Sequence, residues 1–184
     1  MIKIWDPARI SKSPAIFDPL KLRAINAAYI RALTAEEFRK LADPFIDQAV
    51  HVQIDRDLLC ANLQPRCEAL EDIPPQLDFF DAVLPIDAEM YRNKKQKTTP
   101  ESAKEALSAL LPVLEAQTDW SRDAIFEACK QKAEAMEKKN GWLLFPLGIA
   151  LSGKARTPGG GTDLAAMMGK EETLRRLNAA IEAL

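Results

Sequence analysis

The sequence predicts an all-α protein, a helical bundle of two subdomains, and three observations lead there. Apolar residues recur three and four positions apart through most of the chain, a spacing that puts them on one helix face. Asp and Thr residues stand directly before those periodic stretches, twice followed by proline, as Asp18-Pro19 and Thr99-Pro100. The one stretch open to a strand reading, 142–151, carries Pro146, which is awkward in a central strand, and its neighbours all read as helices. At 184 residues the chain is long enough to bury a core without disulfides or a structural metal, as one domain or as two compact helical subdomains.

Asp18-Pro19 reads as an N-cap followed by proline at the first helical position, and Leu22, Ile25, Ala28, Tyr29 and Leu33 follow at helical spacing. Thr34 and Glu37 form a capping-box pattern that opens a second helix. Over 54–70, Leu58, Leu59, Leu63 and Leu70 predict a helix bent or interrupted at Pro65, with Arg66 at the bend. The stretch 68–89 holds seven carboxylates and no cation, is broken by Pro74-Pro75, and reads as a loop with a short helix whose acids face solvent.

Residues 91–97 form a basic run with Arg92, Lys94, Lys95 and Lys97. It reads as a linker between a first subdomain, 1–97, and a second, 98–184, either a solvated connector or a phosphate-contacting strip. Within the second, helices are expected over 100–117 and 122–139, the latter ended by Asn140-Gly141, and over 142–151. Thr162 or Asp163 is expected to cap a short helix over 164–168. Gly169 ends that one, and 170–184 forms the last, with Leu174, Leu177, Ala180, Ile181 and Leu184 buried.

Between two of these helices, 152–162 combines Lys154, Arg156, Thr157, Pro158 and three successive glycines, which predicts a flexible, exposed, basic loop on a rigid apolar base. Such a loop suits binding better than catalysis. Gly148, Gly153 and Lys154 match part of a phosphate-binding P-loop, but position 155 is Ala where Ser or Thr must ligand Mg²⁺, and no helix follows directly. Net charge is −2 overall, yet residues 1–91 carry −5 and residues 92–184 carry +3, so the second half is the one suited to face phosphates.

The three cysteines, Cys60, Cys67 and Cys129, form no C-x-x-C pair and predict buried thiols in a reducing, cytoplasmic setting. The N-terminus has no signal-peptide core and no window approaches a membrane span, so a soluble protein is expected. His51 is the only histidine and reads as structural. Serine in a G-x-S-x-G elbow, histidine-based metal sites and a G-x-G-x-x-G fingerprint are all missing, so no independent active site is expected.

In order along the chain stand Ile10-Ser11-Lys12-Ser13-Pro14-Ala15-Ile16-Phe17-Asp18, Lys21-Leu22-Arg23-Ala24-Ile25-Asn26, Gln64-Pro65-Arg66, Phe79-Phe80, Pro146-Leu147-Gly148-Ile149-Ala150-Leu151-Ser152-Gly153, Thr157-Pro158-Gly159-Gly160 and Gly169-Lys170-Glu171-Glu172-Thr173-Leu174-Arg175-Arg176-Leu177. That series resembles the C-terminal, anticodon-binding region of bacterial glutamyl-tRNA synthetases, over nearly the whole chain. Arg9-Ile10-Ser11-Lys12-Ser13 also echoes the K-M-S-K-S string of class I synthetases, though a polar lead-in is the simpler reading. The resemblance implies a helical cage of two subdomains that grips the anticodon loop of glutamate tRNA, and a monomer.

The same resemblance implies a separate catalytic domain that joins glutamate to tRNA with ATP and Mg, so no cofactor is expected in this chain. The catalytic H-x-G-H motif needs two histidines, which this chain lacks, so alone it should be inactive. Arg66 matches the arginine that reads the third anticodon base, cytosine in glutamate tRNAs and guanine in glutamine tRNAs. Thr157 and Pro158 match contacts to the first two bases, and Gly160 a position where some members carry leucine. Gly148 stands where the family has an arginine that reaches the anticodon, which implies either weaker recognition of the middle base or a contact supplied by Lys154 or Arg156. The competing expectation is a helical protein-interaction module that uses the acidic 68–89 face without RNA.

Overall fold

The computed structural model describes residues 17–82 and 84–184, and among them the regular structure is helical, with no β-strand beyond the single bridge between Asn93 and Thr98. The synthetase-like string at 9–13 and the lead-in before Phe17 lie outside the described residues. Eight α-helices are described: α1 (Pro19–Ala32), α2 (Ala35–Ile46), α3 (Arg56–Leu63), α4 (Pro100–Ala116), α5 (Arg122–Ala135), α6 (Asn140–Ser152), α7 (Gly161–Met168) and α8 (Lys170–Ala183). Short 3-10 turns at Gln64–Arg66, Leu70–Asp72, Pro74–Gln76 and Ala88–Tyr91 carry the chain from α3 to α4.

The helices begin where local chemistry can satisfy their free amides. The Asp18 carboxylate accepts from the N–H groups of Leu20 and Lys21 at 3.0 and 3.1 Å, Thr34 and Glu37 form a complete capping box, and Asp55, Thr99 and Ser121 cap α3, α4 and α5. α6 is apolar almost all round, so it can be stable only if surrounded. It packs against α4, α5, α7 and α8, and Leu143, Leu147, Ile149, Ala150 and Leu151 are buried. Phe38 and Ile46 of α2, Leu59 of α3, Leu107 and Leu114 of α4, Ile125 of α5 and Leu177 of α8 belong to the same contiguous core.

One buried cation ties the loop 77–82 to this scaffold. Arg176 of α8 is 2% exposed and donates to the carbonyls of Phe79, Leu151 and Phe80 at 2.6, 2.7 and 2.8 Å, and to the Glu172 carboxylate at 2.5 Å. A guanidinium has enough donors to satisfy all four acceptors, which is what makes its burial tolerable. The Leu151 carbonyl is near the C-terminal end of α6, where intrahelical partners run out. Arg176 therefore fixes the point from which the following loop departs.

Several elements differ from expectation. α5 ends at Ala135 rather than 139, because Glu137 adopts a left-handed conformation (φ 54°) and the Lys138 amide donates back to Ala133 at 2.9 Å. Asn140-Gly141, expected to stop α5, instead starts α6. α7 begins at Gly161, capped by Gly160, because the Asp163 carboxylate turns back to accept the Gly160 amide at 2.7 Å. On α1 the buried face is Ala27 and Ile30, whereas Leu22, Ile25 and Tyr29 are 53%, 48% and 71% exposed. In α8, Leu177 and Ala180 are buried while Leu174, Ile181 and Leu184 are half-buried.

The basic run 91–97 is no open connector. Asn93 and Thr98 exchange two backbone hydrogen bonds of 3.1 Å, and the Asn93 side chain accepts from Lys95 and Gln96, which closes the segment into a tight turn. Cys60 and Cys67 are both buried, but Cys67 lies beyond the 3-10 turn after α3, so they do not share a helix. Burial pushes the Cys60 and Cys129 thiols up to about 11 and about 12. No helix among the described residues is long and apolar enough to cross a membrane.

Candidate nucleic-acid interface

Pro65 has no amide hydrogen to continue α3, and the chain tightens into the 3-10 turn Gln64–Arg66. The Gln64 side chain fastens that turn to α1 by donating to the carbonyls of Ile30 and Leu33 at 3.1 and 2.8 Å. Arg66 projects from this anchored position and is exposed. Its Nη1 donates to the carbonyl oxygens of Pro158 at 3.3 Å and Thr157 at 3.5 Å. It forms no ion pair with any carboxylate among the described residues.

The loop 153–160 faces it. Gly153 ends α6 in the left-handed region (φ 64°), and a Cβ there would lie 2.9 Å from the Leu84 side chain, so only glycine fits. The Ser152 hydroxyl donates to Gly148 at 2.7 Å and accepts the Lys154 amide at 3.1 Å. Lys154 Nζ donates to the Pro75 carbonyl at 2.9 Å and pairs with Asp78. The Thr157 hydroxyl donates to Gly159 at 2.6 Å, and Asp163, which holds the Gly160 amide, also accepts from Arg122 Nε at 3.0 Å.

This departs from the flexible, exposed loop expected from glycine and proline content. The loop is fastened along its length by side chains of its own and of its neighbours, and Pro158 and Gly159 are buried. At Gly161 the backbones of α6 and α7 come so close that a Cβ would lie 2.8 Å from the Leu144 carbonyl and 2.9 Å from the Gly148 amide. Two glycine-dependent approaches, at Gly153 and Gly161, thus hold the two ends of the loop in place.

Between loop, turn and helix lies an open cavity of about 650 Å³. It is lined by Arg66 and Gln76, by Leu144, Phe145, Gly148 and Ile149 of α6, and by Lys154, Arg156, Thr157 and Gly160 of the loop. Six of the seven residues named from sequence line it: Arg66, Gly148, Lys154, Arg156, Thr157 and Gly160. Pro158 does not; its ring is buried, and it meets the site through the carbonyl that Arg66 contacts.

The lining includes three cations and no carboxylate, a balance suited to an anionic ligand. Arg156 is exposed and makes no ion pair or side-chain hydrogen bond among the described residues. Phe145, Leu144 and Gln76 were missed by the sequence reading. Phe145 precedes Pro146 in the apolar run 142–151, yet it is only half-buried and lines the cavity. The basic residues Arg92, Lys94, Lys95 and Lys97 do not line it, and Arg92 pairs with Glu89 at 2.7 Å.

The acidic stretch is consumed inside the molecule to a degree its composition hides. Glu68 pairs with Arg23 at 3.0 Å, Asp72 also pairs with Arg23, and Asp78 pairs with Lys154. His51 is exposed and sits against Asp81, whose carboxylate also accepts the His51 and Val52 amides. Neither lines the cavity. No group of three or more metal-ligating side chains occurs among the described residues.

A family model described as an anticodon binding domain matches residues 22–181. A glutamate–tRNA ligase of Clostridium botulinum strain Hall is 41% identical over 184 residues, covering all of this chain and 38% of that protein. The glutamate–tRNA ligase of Clostridium tetani is 40% identical with the same coverage. Among solved structures, a glutamate–tRNA ligase from Elizabethkingia meningosepticum in complex with its amino acid superposes with a TM-score of 0.84 at 27% identity, covering 100% of this chain and 36% of that one. That of Elizabethkingia anophelis superposes with a TM-score of 0.74 at 25% identity, over 98% and 35%. The chain thus spans under two-fifths of the length of these curated relatives.

Proposed function

The chain belongs to the anticodon-binding domain family and matches the C-terminal part of glutamate–tRNA ligases, and from that premise we propose that its cavity takes the unstacked anticodon bases of glutamate tRNA. The observation that carries this reading is the convergence of Arg66 and the 157–158 carbonyls at a cation-lined, carboxylate-free cavity with Phe145 in its lining. RNA is read in sequence-specific fashion mostly where single-stranded bases can splay out, stack on an aromatic face and hydrogen-bond along their edges. Arg66 reads cytosine at the third anticodon position, since a guanidinium donates to the O2 and N3 acceptors of that base, whereas guanine presents N–H donors along the same edge. Thr157 serves the first two bases, Phe145 supplies a stacking surface, and Arg156 meets backbone phosphate.

In this reading the charging reaction, with glutamate, ATP and Mg, belongs to the rest of the ligase. The division into subdomains 1–97 and 98–184, a monomeric state and a cytoplasmic setting belong to the same proposal. A protein-interaction role for the acidic face is disfavoured because Glu68, Asp72 and Asp78 are occupied by Arg23 and Lys154.

Filter binding of the chain to glutamate tRNA and to an unrelated tRNA across a salt series tests the proposal. The expected result is a linear fall of log affinity with log salt for both, with glutamate tRNA favoured throughout. Equal binding of the two at every salt concentration contradicts it.

A further inference from the structure

We propose that Lys154 and Asp78 form a clasp that sets the width of the cavity and holds the 157–158 carbonyls against Arg66, so that Lys154 is a positioning residue for base selection rather than a contact to RNA phosphate. The inference rests on the reading of the cavity as an anticodon site. Its grounds are geometric. Lys154 leaves the loop 153–160 and crosses to the 74–78 segment, where Nζ donates to the Pro75 carbonyl at 2.9 Å and pairs with the Asp78 carboxylate. Arg66 crosses the same gap in the other direction, from the 64–66 turn to Thr157 and Pro158.

The two cations differ in what they leave for a ligand. The Lys154 side chain is only 23% exposed, and two of its three donors are taken by groups of the same molecule. A phosphate finds one donor left there, beside a carboxylate that repels it. Arg66 has two long bonds to neutral carbonyls, and Arg156 has no partner among the described residues, so both can turn to RNA at little cost. Gln76 lies between the two clasped positions, next to Pro75, and lines the cavity, so moving the 74–78 segment moves that wall.

The clasp and simple charge attraction predict different outcomes for one substitution. Asp78→Asn removes a negative charge beside an anionic ligand, so charge alone tightens RNA binding and leaves base preference untouched. The clasp predicts that Asp78→Asn narrows the preference for cytosine over guanine at the third anticodon position by about fivefold, the size of a well-made exposed ion pair. Lys154→Met gives the same narrowing with an unchanged slope of log affinity against log salt, and Lys154→Arg, which retains the pair, restores the preference. Arg156→Ala lowers that slope by about 0.7 to 0.9, the loss of one phosphate contact. The double variant Lys154→Met with Asp78→Asn is no worse than either single change, as for two ends of one contact.

Circular dichroism of each variant confirms that helix content is kept. A parent chain that does not prefer cytosine overturns the anticodon reading and the clasp with it. A discriminating parent together with an equally discriminating Asp78→Asn chain, or a Lys154→Met slope reduced as in Arg156→Ala, overturns the clasp alone.

Discussion

Arg66 Nη1 lies 3.3 Å from the carbonyl oxygen of Pro158, joining positions 92 apart in the chain. The turn that ends α3 and the loop that follows α6 therefore share one wall, although nothing in their local sequences requires them to meet. Only Nη1 of the guanidinium is engaged, so further N–H groups of the same planar fork are left without a partner among the described residues.

Gly148 leaves space that a longer side chain can use. A Cβ added there meets only the Gly161 backbone, at 3.7 and 3.8 Å, and the cavity beyond it has no carboxylate in its lining. Gly148→Arg is expected to tighten binding of glutamate tRNA roughly tenfold, the size of one charge-assisted hydrogen bond of about 1.5 kcal/mol. Replacing a helix-interior glycine also favours α6, so thermal stability is not expected to fall. Isothermal titration of parent and variant decides the matter, and unchanged or weaker binding contradicts the geometry described.

Removal of Arg176 strips donors from four buried or half-buried acceptors at once. Arg176→Met is expected to destabilise the fold by about 3–5 kcal/mol, as when one partner of a buried charge network is lost. Guanidinium unfolding measures it. A loss below about 1 kcal/mol means that those carbonyls find water and that the end of α6 is not held as described.

Glu172 titrates at about 2 rather than 4.5, held down first by its hydrogen bond with Arg175 and further by Arg176. A carboxylate with a depressed folded-state value stabilises the fold fully above its unfolded value and loses that contribution as pH falls. Stability is therefore expected to decline between about pH 5 and pH 2, and Glu172→Gln to flatten the decline in that window. Urea midpoints across the range check it; identical pH profiles for parent and variant count against the Glu172 network.

Glu137 is exposed and sits at φ 54°, a conformation that costs side-chain-bearing residues. Glu137→Gly is expected to stabilise the chain by about 0.5–1 kcal/mol, since glycine adopts that backbone freely and no buried contact is lost. Differential scanning calorimetry should show a raised midpoint. A lowered one means that the turn between α5 and α6 is held by the Glu137 side chain.

Helix starts were readable because a cap and its amides lie within three residues of each other, as at Asp18, Thr34 and Thr99. The end of α5 was not, because Glu137 occupies a conformation usually announced by glycine, and Asn140-Gly141 looked like the stop. Arg176 was hidden for another reason: its acceptors are backbone carbonyls 25 to 97 positions away, which leave no mark on a local pattern. The basic loop with Lys154, Arg156, Thr157 and Pro158 is legible from its composition, whereas Arg66 and the base each residue would meet rest on family likeness, since periodicity gives Arg66 only a bend. The hydrogen bonds that fasten the loop, and the half-exposed face of Phe145, follow from how α6, α7 and the 74–78 segment pack together.

The most direct measurement compares parent and Arg66→Gln chains against two glutamate tRNAs that differ only in carrying cytosine or guanine at the third anticodon position. The parent is expected to favour the cytosine form, and the variant to lose most of that preference, a change of about 1–3 kcal/mol for a lost bidentate base contact. If parent and variant separate the two RNAs equally well, Arg66 does not read the base.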